Sequence, residues 1–294
     1  MDRIGKVLMV LLLAASTGTA PARAQDAEVP AIQYEAQYRA LQREFQQTAR
    51  GLYEATTDEQ RVAVAEHMAA LSVRVLDWAE QHADDALGLD SLVQLVVQEI
   101  WLENNTTHAG RSGESLEDRA IALLLQHHLG SAALGEGCTR MSYGFRRQCE
   151  TFLRAVLASS PHHDVQGLAC LRLAQFLNGR LRRLDLLAAR PEMAARHEGL
   201  FGVHYLGELR QQDRAAAVAE IEALFERAAN EFGETKLPYD QTVGKTARSE
   251  LHELRHLSVG KQALELEGQD QNGETFRLSE QRGKVVLVYF WSEY

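Results

Sequence analysis

Gly283-Lys-Val-Val-Leu-Val-Tyr-Phe-Trp291 is the stretch from which the fold of this chain is first predicted. Its seven consecutive apolar residues, Val285 to Trp291, are too few to cross a membrane, which takes about 20. Their β-branched and aromatic side chains favour a strand over a helix. Because polar residues do not alternate with them, we expect a strand buried on both faces, as at the centre of an α/β sheet.

A hairpin is predicted just before this strand. Leu264 and Leu266 alternate with polar residues, as do Phe276 and Leu278 on the other side of Asn272-Gly273. The Asn-Gly pair can form a type I′ turn, which is the favoured short connection between antiparallel strands. The sequence therefore predicts a hairpin, a short polar link and then the apolar strand.

These motifs together resemble the opening of a redoxin domain. The resemblance covers residues 259–294 and is carried by Gly260-Lys-Gln-Ala263, Asp270-Gln-Asn-Gly273, Leu278-Ser279 and Arg282-Gly-Lys-Val-Val-Leu-Val-Tyr-Phe-Trp291, in that order. Redoxins are thioredoxin-like proteins. They include TlpA-like thiol–disulfide oxidoreductases and relatives of alkyl hydroperoxide reductase and thiol-specific antioxidant (AhpC/TSA). The prolines usual after the Gly-Lys pair are absent here.

The resemblance implies a function and the position of its nucleophile. In redoxins the Phe-Trp-x-x-Trp/Tyr segment leads directly into Cys-x-x-Cys, so the nucleophile is expected just after Tyr294, with Trp291 and Tyr294 beside it. The implied protein is a thiol–disulfide oxidoreductase or a peroxiredoxin-like antioxidant. It would act on a protein dithiol, a disulfide or a peroxide without a cofactor. No catalytic residue is expected within the chain itself, so we expect the chain to be inactive.

The sequence ends at Tyr294, directly before the expected nucleophile, and a selenocysteine codon is one explanation. A selenocysteine codon, UGA, would be read as a stop where the redoxin pattern places its nucleophile. A selenol ionises more readily than a thiol and suits the same chemistry. A frameshift, the end of a contig or a true stop codon are the alternatives.

Composition excludes some partners. The chain has 294 residues, of which 45% are hydrophobic and 24% are charged, as in ordinary globular domains. Its net charge of −10 argues against nucleic acid or an anionic membrane surface as the main partner.

The first 24 residues have the pattern of a signal peptide. Arg3 and Lys6 precede a short apolar stretch, Val7 to Ala15, and Ala22-Arg23-Ala24 is a typical cleavage site. An uncleaved anchor is the alternative, although the apolar stretch is far below spanning length. We expect a periplasmic or extracellular protein, with no membrane attachment after cleavage.

Residues 30–258 have the apolar periodicity of an α-helical domain. Helices are predicted from Tyr34 to Leu52, after a cap at Asp58, around Leu89 to Trp101, after a capping box at Ser115-Leu-Glu-Asp118, and over 142–159, 164–178, 212–232 and 241–257. The segments Asn104–Gly113 and Arg180–Gly207 are expected to be irregular.

A weak repeat favours stacked helical hairpins. Asp85-Ala-Leu-Gly-Leu-Asp-Ser-Leu92 and Asp164-Val-Gln-Gly-Leu-Ala-Cys-Leu171 share the pattern D-x-x-G-L-x-x-L, and a glycine inside a helix often marks close helix packing. This favours a tetratricopeptide-like arrangement, with an irregular bundle as the alternative. The helical domain would bind a partner protein or orient the redox domain. A partner-binding scaffold with an inactive redoxin remnant is therefore the second functional hypothesis.

The three cysteines do not form a redox motif. Cys138 and Cys149 flank a short segment and could form a disulfide after export, worth roughly 2–3 kcal/mol, or could remain two thiols. Cys170 lies among leucines and is expected to be a small buried apolar residue. None of the three has Cys-x-x-Cys spacing.

His252-Glu-Leu-Arg-His256 matches the H-E-x-x-H pattern of zinc hydrolases. In that motif two imidazoles one helical turn apart bind zinc, and Glu253 would activate water. The metzincin continuation fails, because Val259 and Gln262 stand where Gly and His are needed. Zinc hydrolysis is therefore the third hypothesis, and a solvated helix face is the simpler interpretation.

The sequence contains two pairs of adjacent histidines. Neighbouring residues of a helix do not face one site, so His127-His128 and His162-His163 are not expected to act as pairs. The sequence contains no Gly-rich phosphate loop, nucleophile elbow or dinucleotide fingerprint.

Overall fold

The computed structural model describes residues 25–105, 116–258, 260–269 and 272–289. Within them the chain is mostly helical, with eleven α-helices and two small two-stranded sheets, which confirms the mainly α prediction. The expected signal peptide, most of the expected loop after Asn104, Ser115, Trp291 and Tyr294 lie outside the described residues. No helix of the described part is long and apolar enough to cross a membrane.

The helices follow one another with short connections. They are α1 (Gln25–Glu54), α2 (Asp58–Gln81), α3 (Ala86–Asn105), α4 (Leu116–His127), α5 (Leu134–Met141), α6 (Arg147–Ser159), α7 (His163–Ala189), α8 (Pro191–Phe201), α9 (Val203–Gln211), α10 (Arg214–Glu231) and α11 (Val243–His252). A π-helical turn, Glu253–Leu257, continues α11. The strands are β1 (Lys236–Leu237), β2 (Gln241–Thr242), β3 (Glu267–Gln269) and β4 (Thr275–Arg277).

The start of α2 is capped one residue earlier than expected. The hydroxyl of Thr57 accepts a hydrogen bond from the backbone N–H of Gln60 (3.3 Å), and the Gln60 side chain accepts one from the backbone N–H of Thr57 (3.2 Å). The prediction that Asp58 is the cap was wrong. Asp58 instead lies in the first turn, where its negative charge favours the positive end of the helix dipole.

The segment Arg180–Gly207, predicted to be irregular, is helical. Pro191 does not prevent a helix here, because it occupies the first turn of α8, where no backbone N–H donor is needed. Gly202 then ends α8 with a φ of +86°, which glycine adopts without strain, and α9 begins immediately. The helix breakers therefore mark the boundaries between short helices. The short helix α5 was also not predicted.

The chain divides into two compact units, one ending at Gln47 and the other beginning at Thr48. In the second unit several helices pack against the next one in the chain: α2 against α3, α3 against α4, α6 against α7, and α10 against α11. The helix α10 also packs against α7, which is not its neighbour in sequence. The largest side chains of the core are fully buried: Met68, Leu71, Leu76, Leu92, Leu95, Leu124, Leu134, Met141, Phe145, Phe152, Phe176 and Phe225.

Both glycines of the repeated pattern lie where a side chain would not fit. A Cβ on Gly167 would stand 2.8 Å from Cβ of Phe232, so α7 approaches the end of α10 closely. A Cβ on Gly88 would stand 1.9 Å from the backbone oxygen of His82, where α3 turns back on the end of α2. The expected close packing is confirmed at Gly167, whereas Gly88 serves a tight turn.

The hairpin is present, but the apolar strand after it is not formed. β3 and β4 pair antiparallel, with Gly268 opposite Phe276. Their connection is longer than a two-residue turn, because the last pair is Gln269 opposite Thr275. A type I′ turn needs a positive φ at both central residues, but only Gly273 has one (+83°), so the prediction of this turn was wrong. Residues 285–289 form no strand and are exposed. A central strand needs hydrogen-bonded neighbours on both sides, and the only described strands of this segment, β3 and β4, pair with each other.

Candidate functional site

The segment 285–289 has two different apolar faces. The exposure of its residues alternates: Val286 and Val288 are 42% and 45% exposed, whereas Val285, Leu287 and Tyr289 are 104%, 91% and 80% exposed. Side chains that alternate in this way belong to an extended backbone. Residues 260–289 contain no cysteine or histidine. This part of the chain can therefore pair or pack with other strands but cannot perform thiol chemistry.

The three cysteines are buried, and the expected disulfide is not formed. Cys138 and Cys149 lie in α5 and α6 as separate thiols. Burial raises the pKa of Cys138 to about 12 and that of Cys170 to about 11. Reactive cysteines have lowered pKa values and some exposure, so these two have the opposite properties.

Cys149 belongs to a small polar cluster that joins α4 to α6. Its thiol donates a hydrogen bond to Oε1 of Glu117 (3.0 Å), and Oε2 of Glu117 forms an ion pair with Nε of Arg146 (3.2 Å). Glu117 is only 1% exposed. A buried carboxylate needs such partners, since leaving it unpaired would cost several kcal/mol. The contact with Cys149 is therefore structural.

The H-E-x-x-H residues lie together on the surface, but their glutamate is already engaged. His252 ends α11 and His256 lies in the π-helical turn, with their ring centroids 4.9 Å apart. Oε1 of Glu253 accepts a hydrogen bond from Nη2 of Arg182 (2.5 Å). Within the described residues, no group of three or more His, Cys, Asp or Glu side chains could hold a metal. A zinc-hydrolase centre is therefore not assembled there.

A chain of ion pairs, which sequence reasoning missed, connects three helices. Glu150 of α6 binds Arg180 of α7 (2.5 Å) and Arg154 (2.7 Å), and Arg154 also binds Glu220 of α10 (2.7 Å). Burial opposes ionisation of Glu150, but Arg180 and Arg154 outweigh it and lower the pKa of this carboxyl. The Glu150–Arg154 spacing of four residues was visible in the sequence. The contacts to α7 and α10 were not.

A second missed cluster holds α8 and α9 in place. Phe145, Leu206 and Leu209 are buried together, and Leu184, Phe201 and Tyr205 pack against them. The hydroxyl of Tyr205 donates to the backbone oxygen of Phe145 (2.8 Å), and the guanidinium of Arg183 lies 5.2 Å from the centre of the Phe145 ring. Such contacts combine apolar burial with cation–π attraction. The cluster was missed because α8 and α9 were not predicted.

Three histidines gather where the α2–α3 connection meets the end of α4. Nδ1 of His127 lies 2.6 Å from Oδ1 of Asp84, and Nδ1 of His82 lies 3.5 Å from Oδ2 of Asp85. His128 is 5% exposed, and its Nε2 has no hydrogen-bond partner among the described residues. Burial lowers the pKa of His128, although a hydrogen bond with the backbone of Ala83 opposes this effect. His127 and His128 face different surroundings, as expected for adjacent residues.

Three kinds of site are thus present in the described residues. The segment 285–289 is apolar and exposed, His252 and His256 form an exposed imidazole pair, and the remaining polar clusters connect helices. No family model, no curated protein and no solved structure matches the chain.

Proposed function

We propose that this chain belongs to an exported thiol–disulfide oxidoreductase or peroxidase of the redoxin type. Its substrate would be a protein dithiol, a disulfide or a peroxide. The observation that carries the proposal is the order of features after Ser258: the β3–β4 hairpin, a 3₁₀ turn (Leu278–Gln281) and the exposed apolar segment 285–289. The sequence motifs on which the redoxin resemblance rests, residues 259–291, lie in this part of the chain.

In this proposal the apolar segment is the central strand that supports the active site. Active sites of open α/β sheets lie at the carboxyl ends of the strands, and the redoxin pattern places its nucleophile just after Tyr294. Such a nucleophile needs a lowered pKa, which a helix N-terminus can supply. Cys138 and Cys170 are unsuitable, because burial raises their pKa values.

The helices would serve as a binding platform for a partner protein. Successive helices pack as the pairs α2–α3, α6–α7 and α10–α11. The last two pairs are joined by the contact of α7 with α10. Stacked helical hairpins of the tetratricopeptide kind have this order of contacts and bind partners over an extended surface. In the proposal, the helices bind the substrate protein and so bring it to the redox domain.

The test begins with the coding sequence after the codon for Tyr294. From the redoxin pattern we expect a cysteine or selenocysteine at the next position, and a further cysteine three positions later. The extended product should reduce insulin disulfides or consume peroxide, and should lose this activity when the first of these residues is replaced by serine. The 294-residue chain should show neither activity. Activity of that chain that disappears when Cys138, Cys149 or Cys170 is replaced would contradict the proposal, as would a following sequence without cysteine or selenocysteine.

One observation favours the second candidate, a partner-binding scaffold. Tyr239 lies in the β1–β2 connection with a φ of 60°, and its side chain is 89% exposed. A left-handed conformation costs a non-glycine residue roughly 1–2 kcal/mol, and such strain often accompanies function. We expect Tyr239→Gly to raise the stability of the chain and to weaken binding of a partner. If partner binding persists in an extended product without redox activity, the scaffold is the better assignment.

A further inference from the structure

The exposed pair His252 and His256 is not used by the proposed redox function. His252 is the last residue of α11, and His256 lies four residues later in the π-helical turn. Both side chains are exposed to solvent. Imidazoles at this spacing on a helical face can bind one ion together.

The separation of the two rings already suits a shared metal ion. Imidazole nitrogen lies about 2.0–2.1 Å from a bound transition metal, which places each ring centroid about 3.2 Å from the ion. Two such rings would then be about 4.5 Å apart at a right angle and about 5.2 Å apart at a tetrahedral angle. The observed centroid distance is 4.9 Å, between these two values. The spacing of the rings is therefore compatible with one ion bound by both.

The neighbouring charges decide what kind of site this is. Oε1 of Glu253 pairs with Arg182, so the site that we describe uses the two imidazoles without this carboxylate. Arg255, which lies between the histidines in sequence, is held by Glu222 (2.7 Å) and Glu226 (2.5 Å) of α10. These ion pairs compensate the charge of the guanidinium beside the histidines and therefore weaken its repulsion of a cation.

We propose that His252 and His256 form a surface site for one divalent transition-metal ion, of the Zn²⁺, Ni²⁺ or Cu²⁺ class. Two imidazoles supply the protein ligands, and water or another ligand fills the remaining positions. Nitrogen ligands select these ions over Mg²⁺ and Ca²⁺, which prefer oxygen. Because the ion would connect the end of α11 to the π-helical turn, binding stabilises the last helical segment before the hairpin.

Titration of the untagged full chain with NiCl₂, ZnCl₂ and CuCl₂ tests the site. We expect one ion per chain, with the affinity order Cu²⁺ above Ni²⁺ and Zn²⁺, and no heat of binding with MgCl₂. His252→Gln and His256→Gln should each weaken Ni²⁺ binding by at least about tenfold, because a single imidazole remains. Binding should weaken at acidic pH, since the ligands must be neutral imidazoles.

Two control variants make the result specific. His204→Gln removes an exposed histidine of α9 that lies 3.3 Å from Glu208, and it should leave Ni²⁺ affinity within about twofold. Glu253→Gln should also leave it within about twofold, because Glu253 is not a ligand in this proposal. A tenfold loss with Glu253→Gln would overturn the proposed ligand set. Unchanged affinity in both His252→Gln and His256→Gln would show that the ion binds elsewhere and would overturn the site.

Discussion

At the scale of single residues, Gly167 of α7 has no room for a side chain, because Phe232 and Thr235 lie against it. A Cβ there would lie 2.8 Å from Cβ of Phe232 and 3.1 Å from Oγ1 of Thr235. We expect Gly167→Ala to lower the free energy of unfolding by about 1–3 kcal/mol, as overpacking usually does. Urea denaturation measures the change.

Gly179 is the matched control in the same helix. A Cβ on Gly179 would meet nothing within 4 Å, so Gly179→Ala should raise the free energy of unfolding by up to about 1 kcal/mol through helix propensity. If both substitutions stabilise the chain, α7 does not approach Phe232 as closely as described.

His128 should make the stability of the chain depend on pH. Burial lowers its pKa in the folded chain, so below the usual histidine pKa of about 6.5 the unfolded chain binds a proton that the folded chain does not. Stability is therefore complete above this value and decreases as the pH falls towards the folded pKa. The charged neighbours Asp84, Asp85 and His127 modify this effect, since the carboxylates favour the proton and His127 opposes it.

The measurement compares urea midpoints at pH 7.5 and 5.5 in the wild type and in His128→Gln. We expect a smaller loss of stability in the variant, because the group that resists protonation is gone. His204→Gln removes an exposed histidine and should leave the loss unchanged. An equal loss in His128→Gln and wild type would mean that this imidazole does not contribute.

At the scale of elements, the structure shows which of two neighbouring residues caps the start of α2, a choice that the sequence alone did not decide. Thr57 provides the capping hydroxyl, and Asp58 does not cap the helix. We expect Thr57→Ala to lower the free energy of unfolding by about 1 kcal/mol, and Asp58→Ala by a few tenths, through the helix dipole. The order would be reversed if Asp58 were the cap. Thermal unfolding of the two variants under identical conditions distinguishes these outcomes.

Apolar periodicity predicted the existence of most helices, because each buries one face against its neighbours. It could not show that Pro191 and Gly202 separate short helices, since the same residues also occur in loops. It also could not show that Glu150 meets Arg180, because that contact joins residues 30 positions apart. The His252–His256 pair was visible as a motif. The contact of Glu253 with Arg182 depends on packing of distant segments and had to be observed.

The apolar run at Val285 shows a different limit of sequence reading. Its composition is that of a strand buried on both faces, yet Val285, Leu287 and Tyr289 are largely exposed. Composition records the surroundings for which a segment is suited, whereas burial depends on whether neighbouring strands are present. The hairpin before it needs only its own two strands, and it is formed.

At the scale of the whole molecule, the helices and the segment 260–289 differ in how they are protected. The helical part of the second unit contains the buried core, whereas every described residue from Gly260 to Gln269 is exposed. Backbone without buried contacts opens easily and is cut first by proteases. We therefore expect brief trypsin treatment to cleave at the exposed Lys261, Arg277, Arg282 and Lys284.

The fragment that remains should end close to Ser258 and should keep the helical circular dichroism and the unfolding midpoint of the intact chain. Arg61 is the internal control, because its side chain is exposed but its backbone lies within α2. Mass spectrometry of the early fragments identifies the order of cleavage. If Lys261, Arg277, Arg282 and Lys284 were cut as slowly as Arg61, the segment 260–289 would be as well protected as the helices. In that case the segment 260–289 would have to belong to the folded part of the chain rather than to an exposed tail.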